Sequence, residues 1–245
     1  MPAPSALIFD VDGTLAETEE LHRAAFNAAF AAAGLDWHWD RALYADLLDV
    51  TGGKERIGRY LAVAGLAGAF DAARIAALHA DKTARYTADV RAGRLALRPG
   101  IRRLLHSAAA AGLRLAIATT TSRPNVDALL AAAGALPGFD VIAAGDEVPA
   151  KKPAPDIYAL ALRRLGLPAE PCIAIEDTPH GLASATGAGL RCVITTSAYG
   201  GSGPFPGAAA VLNHLGDPGA PAEALAGPPL RDGIADLAWF AGLAH

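Results

Sequence analysis

The residues best equipped for chemistry open the chain: Phe9-Asp10-Val11-Asp12-Gly13-Thr14. Two carboxylates two residues apart, directly after a short apolar run, can divide labour. One attacks as a nucleophile or holds a metal ion while the other gives and takes protons, and Gly13 permits the turn between them. An EF-hand loop is excluded, because it needs glycine at its sixth position and a terminal Glu, whereas Gly13 stands fourth. A lone Asp-x-Asp is usually a polar turn. Three further polar segments end later apolar runs and change the balance. Thr119-Thr120-Thr121-Ser122 offers hydroxyls and free N–H groups ahead of a helix near Pro124, which suits a phosphate, although Ser and Thr there are more often caps. Lys151-Lys152-Pro153-Ala154-Pro155-Asp156 fixes a lysine just before a helix start, a point charge for a phosphoryl group where a solvated lysine is commoner. Ile175-Glu176-Asp177-Thr178 supplies adjacent carboxylates, hard oxygen ligands for Mg²⁺ beside Asp10 and Asp12; the plainer reading is capping acids for the helix near Gly181.

These groups need strands and helices to bring them together. Short apolar runs at 6–9, 113–118, 172–175 and 192–194, with a weaker one at 141–144, have the unbroken character of strands buried on both faces of a parallel sheet. Helical spacing at 100–111, 125–133, 155–165 and 181–188 alternates with them, which predicts a doubly wound α/β fold. The stretch between the first two strands is far too long for one crossover. Apolar spacing at 19–33, 42–49, 54–64 and 72–88 predicts a small all-helical insertion, with hinges at 16–18 and 91–99. The expected division is an α/β core over 1–16 and 97–245 and a helical domain over 17–96. The tail, with Gly200-Gly201-Ser202-Gly203-Pro204 and Gly227-Pro228-Pro229, reads as loops with one late helix over 234–243.

Composition sets outer bounds. The 245 residues are 52% hydrophobic and carry 21 basic and 25 acidic side chains for a net charge of −4, with the cations scattered. A nucleic-acid partner is not expected without clustered cations. No run of 18 apolar residues suggests a membrane span, and Met1 to Ser5 lacks the pattern of a signal peptide, so a cytoplasmic protein is expected, as a monomer. Cys172 and Cys192 each open an apolar run and read as buried thiols.

In order, these segments resemble the four motifs of the haloacid dehalogenase superfamily of aspartate-nucleophile phosphotransferases: Asp10 with Asp12, Thr119, Lys152, then Glu176 with Asp177. The resemblance runs from Ala6 to about Thr195 and implies a Rossmannoid core with a parallel sheet and an inserted helical C1 cap. It implies that Asp10 attacks phosphorus to give a phosphoaspartate, and that Asp12 protonates the leaving alcohol and then activates water. Thr119 and Lys152 would hold the transferred phosphoryl group. Mg²⁺ would sit on Asp10, the carbonyl of Asp12 and Asp177, with Glu176 as ligand or support. This agrees with the physics of phosphoryl transfer, which is mostly positioning and charge neutralisation.

The insertion narrows the likeness. Glu17-Thr18-Glu19-Glu20-Leu21-His22 leaves the first hinge, and Thr51-Gly52-Gly53-Lys54-Glu55-Arg56 puts cations at a helix N-terminus, where the dipole disfavours them unless an anion binds. A P-loop fails, since Glu55 follows Lys54. With Lys82, whose default reading is a solvated lysine, and Ser122-Arg123, these segments are similar to the CbbY group of the beta-phosphoglucomutase branch. That likeness implies xylulose-1,5-bisphosphate as substrate, a Rubisco inhibitor cleared in support of carbon fixation. Glu17 and His22 would meet sugar hydroxyls; Lys54, Arg56, Ser122 and Arg123 would hold the phosphate that stays. Thr51, Gly52, Gly53, Lys82, Thr120 and Thr121 would complete the substrate contacts. A phosphomutase using the same two aspartates is the nearest rival, and a non-catalytic sugar-phosphate sensor is the rival of another class. A dinucleotide-binding oxidoreductase is weaker, because Gly201-Ser202-Gly203 lacks the remaining glycines.

Overall fold

The computed structural model describes residues 4–201 and 203–243; Ser202 of the glycine-rich turn and the chain ends lie outside them. One sheet runs through the molecule. Its strands are β1 (Ala6–Phe9), β2 (Arg114–Ala118), β3 (Val141–Ala143), β4 (Cys172–Glu176), β5 (Arg191–Thr195), β6 (Ala210–Leu212) and β7 (Ala224–Ala226), in the order β3-β2-β1-β4-β5-β6-β7. All neighbours pair parallel except β7, which runs antiparallel to β6. The chain winds outward from β1 to β3, then crosses back to β4 on the other side of β1. Such a reversal opens a crevice at the carboxyl ends of the strands.

β1 is buried along its whole length because both faces are covered. Leu7 and Phe9 pack with α5 (Ile101–Ala110), α6 (Arg123–Ala132) and the late helix, while Ala6 and Ile8 pack with α7 (Asp156–Leu165) and α8 (Pro179–Gly187). The thiols of Cys172 and Cys192 are free and buried in that second layer. The late helix, α9, spans Leu237–Leu243, three residues shorter than expected, because the Asp236 carboxylate takes the Trp239 N–H at 2.8 Å and fixes the start. The tail also differs from the expected loops in carrying β6 and β7, three residues each.

Between β1 and β2 come α1 (Glu19–Ala32), α2 (Arg41–Leu47), α3 (Gly53–Val63) and α4 (Ala72–Arg91). They enclose an aromatic cluster of their own around Phe26, Phe30, Trp39 and Tyr44. Asp40 and Asp71 cap α2 and α4, and the Asn27 amide exchanges two hydrogen bonds with the Trp39 backbone, pinning the loop after α1. The chain leaves and returns along one seam: Ala16 and Leu97 form an antiparallel bridge, and the Arg98 N–H donates to the Leu15 carbonyl at 2.9 Å. Buried Arg98 then spreads its guanidinium over the carbonyls of Gly13, Thr195, Thr196 and Asn213. It ties the seam to the loops after β1, β5 and β6.

Candidate active site

The crevice gathers the polar ends of three adjacent strands. Asp10 follows β1, Thr119 follows β2, and Glu176 and Asp177 close β4. Lys152, in the loop after β3, is buried among them. Its ammonium donates to Asp10 Oδ1 at 2.6 Å, Glu176 Oε1 at 2.5 Å and the Ala118 carbonyl at 3.0 Å, which uses all three protons. Tyr158, which sequence reasoning missed, donates to Glu176 Oε1 at 2.6 Å. Glu176 and Asp177 are not capping acids, since the Thr178 hydroxyl caps α8. Gly13 has φ +76°, and a Cβ there would meet Asp177 Oδ2 at 2.0 Å, so both conformation and space demand glycine.

Asp12 turns away from this cluster toward the helical insertion. Its Oδ1 accepts the Thr18 hydroxyl at 2.6 Å and faces His22 Nε2 at 3.0 Å. His22 Nδ1 lies 2.7 Å from Lys82 Nζ, and the imidazole stacks on Tyr86 at 3.9 Å between centroids. An ammonium only donates, so Nδ1 accepts and Nε2 carries the proton given to Asp12. Lys82 is therefore not a solvated lysine; it is buried over the rings of Phe26 and Tyr86. Burial brings its ammonium down to about 7 despite the pull of Asp12. Burial pushes Asp12 up, but its contact with His22 and the Thr18 hydrogen bond outweigh it and leave the carboxyl at about 2.

A cavity of about 500 Å³ lies between the strand ends and the helices. Asp10, Asp12, His22, Lys82, Lys152, Glu176 and Asp177 line it, as do Thr51, Gly52, Gly53, Lys54 and Arg56 of the insertion and Thr120, Thr121 and Ser122 of the core. Thr119 is buried just behind the wall, its Oγ1 accepting the Thr121 N–H at 3.2 Å. Two further expected residues lie off the wall. Glu17 pairs with Arg98 at 3.2 Å in the seam, and Arg123 pairs with Asp127 at 2.8 Å on the exposed face of α6. Glu19, His79 and Asn125 line the cavity unanticipated. Nothing in the linear pattern separates Glu19 from Glu17, because the choice depends on how the hinge leads into α1. Ser122 Oγ and Asn125 Oδ1 are buried without a hydrogen-bond partner among the described residues. The insertion touches the core directly where the Thr51 hydroxyl donates to the Lys152 carbonyl at 2.6 Å and Lys54 meets Asp146 at 3.4 Å.

The donor set suits a divalent cation. Carboxylate oxygens of Asp10, Glu176 and Asp177 lie within 4.8 Å of one another. Asp177 Oδ1 is buried and, among the described residues, unpartnered, while Oδ2 accepts the Ser197 hydroxyl at 2.5 Å. Burial raises Asp10 to about 7, with Lys152 opposing and Glu176 and Asp12 adding repulsion. Burial and the charges of Asp10 and Glu176 hold Asp177 well above the usual carboxylate range. One lysine does not balance these acids, and hard oxygen donors with a charge deficit are what Mg²⁺ seeks.

Comparison with known proteins gives the family of the chain. Residues 4–189 match the haloacid dehalogenase-like hydrolase family. The chain is 58% identical over 197 residues to protein CbbY of Rhodobacter capsulatus, covering 79% of this chain and 86% of that one. It superposes on the crystal structure of CbbY from Rhodobacter sphaeroides in complex with phosphate with a TM-score of 0.80, at 52% identity, over 86% of this chain and 94% of that one. A point variant of that protein, solved with xylulose-1,5-bisphosphate, superposes with the same TM-score at 51% identity, over the same 86% and 94%.

Proposed function

We propose, since the chain belongs to the haloacid dehalogenase-like hydrolase family and is a phosphatase within it, that it hydrolyses a small phosphorylated sugar through a phosphoaspartate on Asp10. The preferred substrate of this reading is xylulose-1,5-bisphosphate, losing its 1-phosphate. The observation that carries it is the placing of two unlike aspartates on one wall of the cavity. Asp10 is held by Lys152 through Oδ1, Oδ2 having no hydrogen bond among the described residues, and Asp12 is held from the helical side by Thr18 and His22. The likeness to CbbY, including a variant that binds this bisphosphate, supports the substrate.

In this mechanism Asp10 Oδ2 attacks phosphorus, the bond to the sugar oxygen breaks, and Asp12 delivers a proton to that oxygen. Asp12 then takes a proton from water as the water attacks the phosphoaspartate, releasing inorganic phosphate and restoring Asp10. Asp12 enters the first step carrying a proton taken from solvent and leaves it ionised, the form its low carboxyl favours for the second, while the Nε2–H of neutral His22, at 3.0 Å, orients it. Lys152 keeps Asp10 oriented and offsets Glu176. Mg²⁺ would be held by Asp10, Asp177 and the Asp12 carbonyl, with Glu176 behind, and supplies charge neutralisation as the phosphoryl group passes. Residues 17–96 would serve as a cap whose closure excludes water until substrate is bound.

Phosphate release is measured with and without Mg²⁺ from xylulose-1,5-bisphosphate, ribulose-1,5-bisphosphate, glucose 1-phosphate and phosphoglycolate. The expected result is Mg²⁺-dependent release that favours xylulose-1,5-bisphosphate by roughly tenfold or more, the scale of one or two polar contacts. Equal turnover of singly phosphorylated sugars overturns the bisphosphate assignment. A rearranged sugar phosphate without free phosphate replaces the phosphatase with a mutase.

A further inference from the structure

The loop that follows β5 touches both halves of the molecule. It leaves the strand at Thr195 and Thr196, whose carbonyls are fixed by the Arg98 guanidinium. The hydroxyl of Ser197 then works in two directions, donating to Asp177 Oδ2 at 2.5 Å and accepting the Gly200 N–H at 2.8 Å. The second bond closes residues 197–200 into one tight turn. Little space surrounds it, since a Cβ on Gly200 would meet the Asp177 carbonyl oxygen at 2.4 Å and Ser197 Oγ at 2.6 Å. On its other side the same turn grips the insertion. The Ala198 N–H donates to Glu17 Oε2 at 3.3 Å, and the Tyr199 hydroxyl donates to Glu20 Oε1 in the first turn of α1. Glu20 is held in turn by Arg23 and by Arg41, each at 2.8 Å. The Tyr199 ring packs on the aromatic cluster of the insertion, edge-on to Tyr44 with centroids 5.8 Å apart. Tyr44 is itself fixed, donating to Glu19 Oε2 at 2.5 Å and accepting from Arg56 Nη1 at 3.0 Å.

Two hydroxyls on one closed turn therefore join an oxygen of the acidic cluster to the insertion. With Oδ2 of Asp177 taken by Ser197, Oδ1 is the oxygen left for a cation, and the carboxylate cannot swivel while the turn stays in place. Displacing the insertion draws on Tyr199 and, through the turn, on Ser197. We propose that Ser197 and Tyr199 are positioning residues that couple the cation affinity of Asp177 to the seating of the helical insertion on the core, a role that rests on the phosphatase reading and its cation. A bound cation that holds Asp177 still strengthens the grip on α1, and a seated α1 tightens the cation by the same factor, because coupling between two sites is reciprocal.

The test needs no turnover. The Kd for Mg²⁺ alone is measured by titration calorimetry without substrate, and hydrogen exchange is followed at the amides of the first two turns of α1. Ser197→Ala should weaken Mg²⁺ about tenfold, the lower end of what a group behind a metal ligand contributes. Tyr199→Phe keeps the ring on Tyr44 and removes only a hydroxyl that, among the described residues, bonds to the insertion. It should still weaken Mg²⁺ by about threefold. The double variant should bind no more weakly than Ser197→Ala, because residues acting through one another do not add. Seen from the other side, saturating Mg²⁺ should slow exchange in α1 of the wild-type protein by about threefold, the same coupling factor, and should leave it unchanged in Tyr199→Phe. A Tyr199→Phe variant that binds Mg²⁺ as tightly as the wild type, or losses that add in the double variant, overturn the coupling and leave the cation site standing. Wild-type protein that binds no Mg²⁺ overturns the cation reading and the coupling with it.

Discussion

At the scale of single residues, His22 shows why a contact cannot be assigned from spacing. The sequence places it where it could meet a sugar hydroxyl, but both ring nitrogens already face protein groups, Nε2 toward Asp12 and Nδ1 toward Lys82. With both ring nitrogens so engaged, His22 is predicted to act through Asp12 and not on the sugar. His22→Asn should lower kcat by roughly a hundredfold, the lower end of what a positioned proton-transfer group contributes. The loss should be alike for sugar phosphates and for p-nitrophenyl phosphate, with KM changing by less than about threefold. A selective rise in KM for the sugar would return His22 to the role of a hydroxyl contact. Lys82 teaches the same lesson, because burial of a lysine over Phe26 and Tyr86 requires α1 and α4 to pack, and no local pattern announces it.

At the scale of elements, the seam between insertion and sheet carries much of the architecture, and Arg98 carries the seam. Its guanidinium serves four backbone carbonyls and the Glu17 carboxylate while almost wholly buried. Arg98→Met would leave those acceptors without donors, and breaking a buried charged network costs about 3 kcal/mol or more. For a chain of this size that is a fall of about 6–12 °C in Tm, read by thermal unfolding; a change under 2 °C would show that water satisfies the carbonyls instead. Much of the element pattern is legible in advance. β1, β2, β4 and β5 are apolar runs closed by polar residues, so burial on both faces writes them into the sequence directly. β6 and β7 are not legible, since Ala-Val-Leu and Ala-Leu-Ala are too short to show a period and lie among glycines and prolines. The four polar segments at strand ends are readable because parallel strands deliver their carboxyl ends to one edge. The Glu17–Arg98 pair and the Arg56–Tyr44–Glu19 chain are not, because they join residues whose meeting depends on the path of the hinge.

At the scale of the whole molecule, the site stores an electrostatic debt that folding must meet. Asp10 moves from 3.8 to about 7 and Asp177 rises well above its ordinary value, both mainly by burial. Raised carboxyls bind protons more tightly in the folded chain than in the unfolded one. Between about pH 4 and 7 the folded state therefore holds the extra protons, and stability falls as pH rises through that window. A divalent cation held by these carboxylates would replace those protons. Ligand in hundredfold excess over its Kd adds about 2.7 kcal/mol to the folded state, equivalent to about 5–11 °C in Tm for this chain length. The gain should depend on pH in a defined direction. Mg²⁺ should raise Tm by that amount at pH 8, where the carboxyls are ionised and crowded, and by less than about 2 °C at pH 5, where protons compete for the same oxygens. Asp177→Asn removes the buried oxygen that has no protein partner and should abolish the pH 8 shift while making the metal-free protein more stable than the parent at that pH. A shift of equal size at both pH values, or one that survives Asp177→Asn, would place the cation somewhere other than the cluster of Asp10, Glu176 and Asp177.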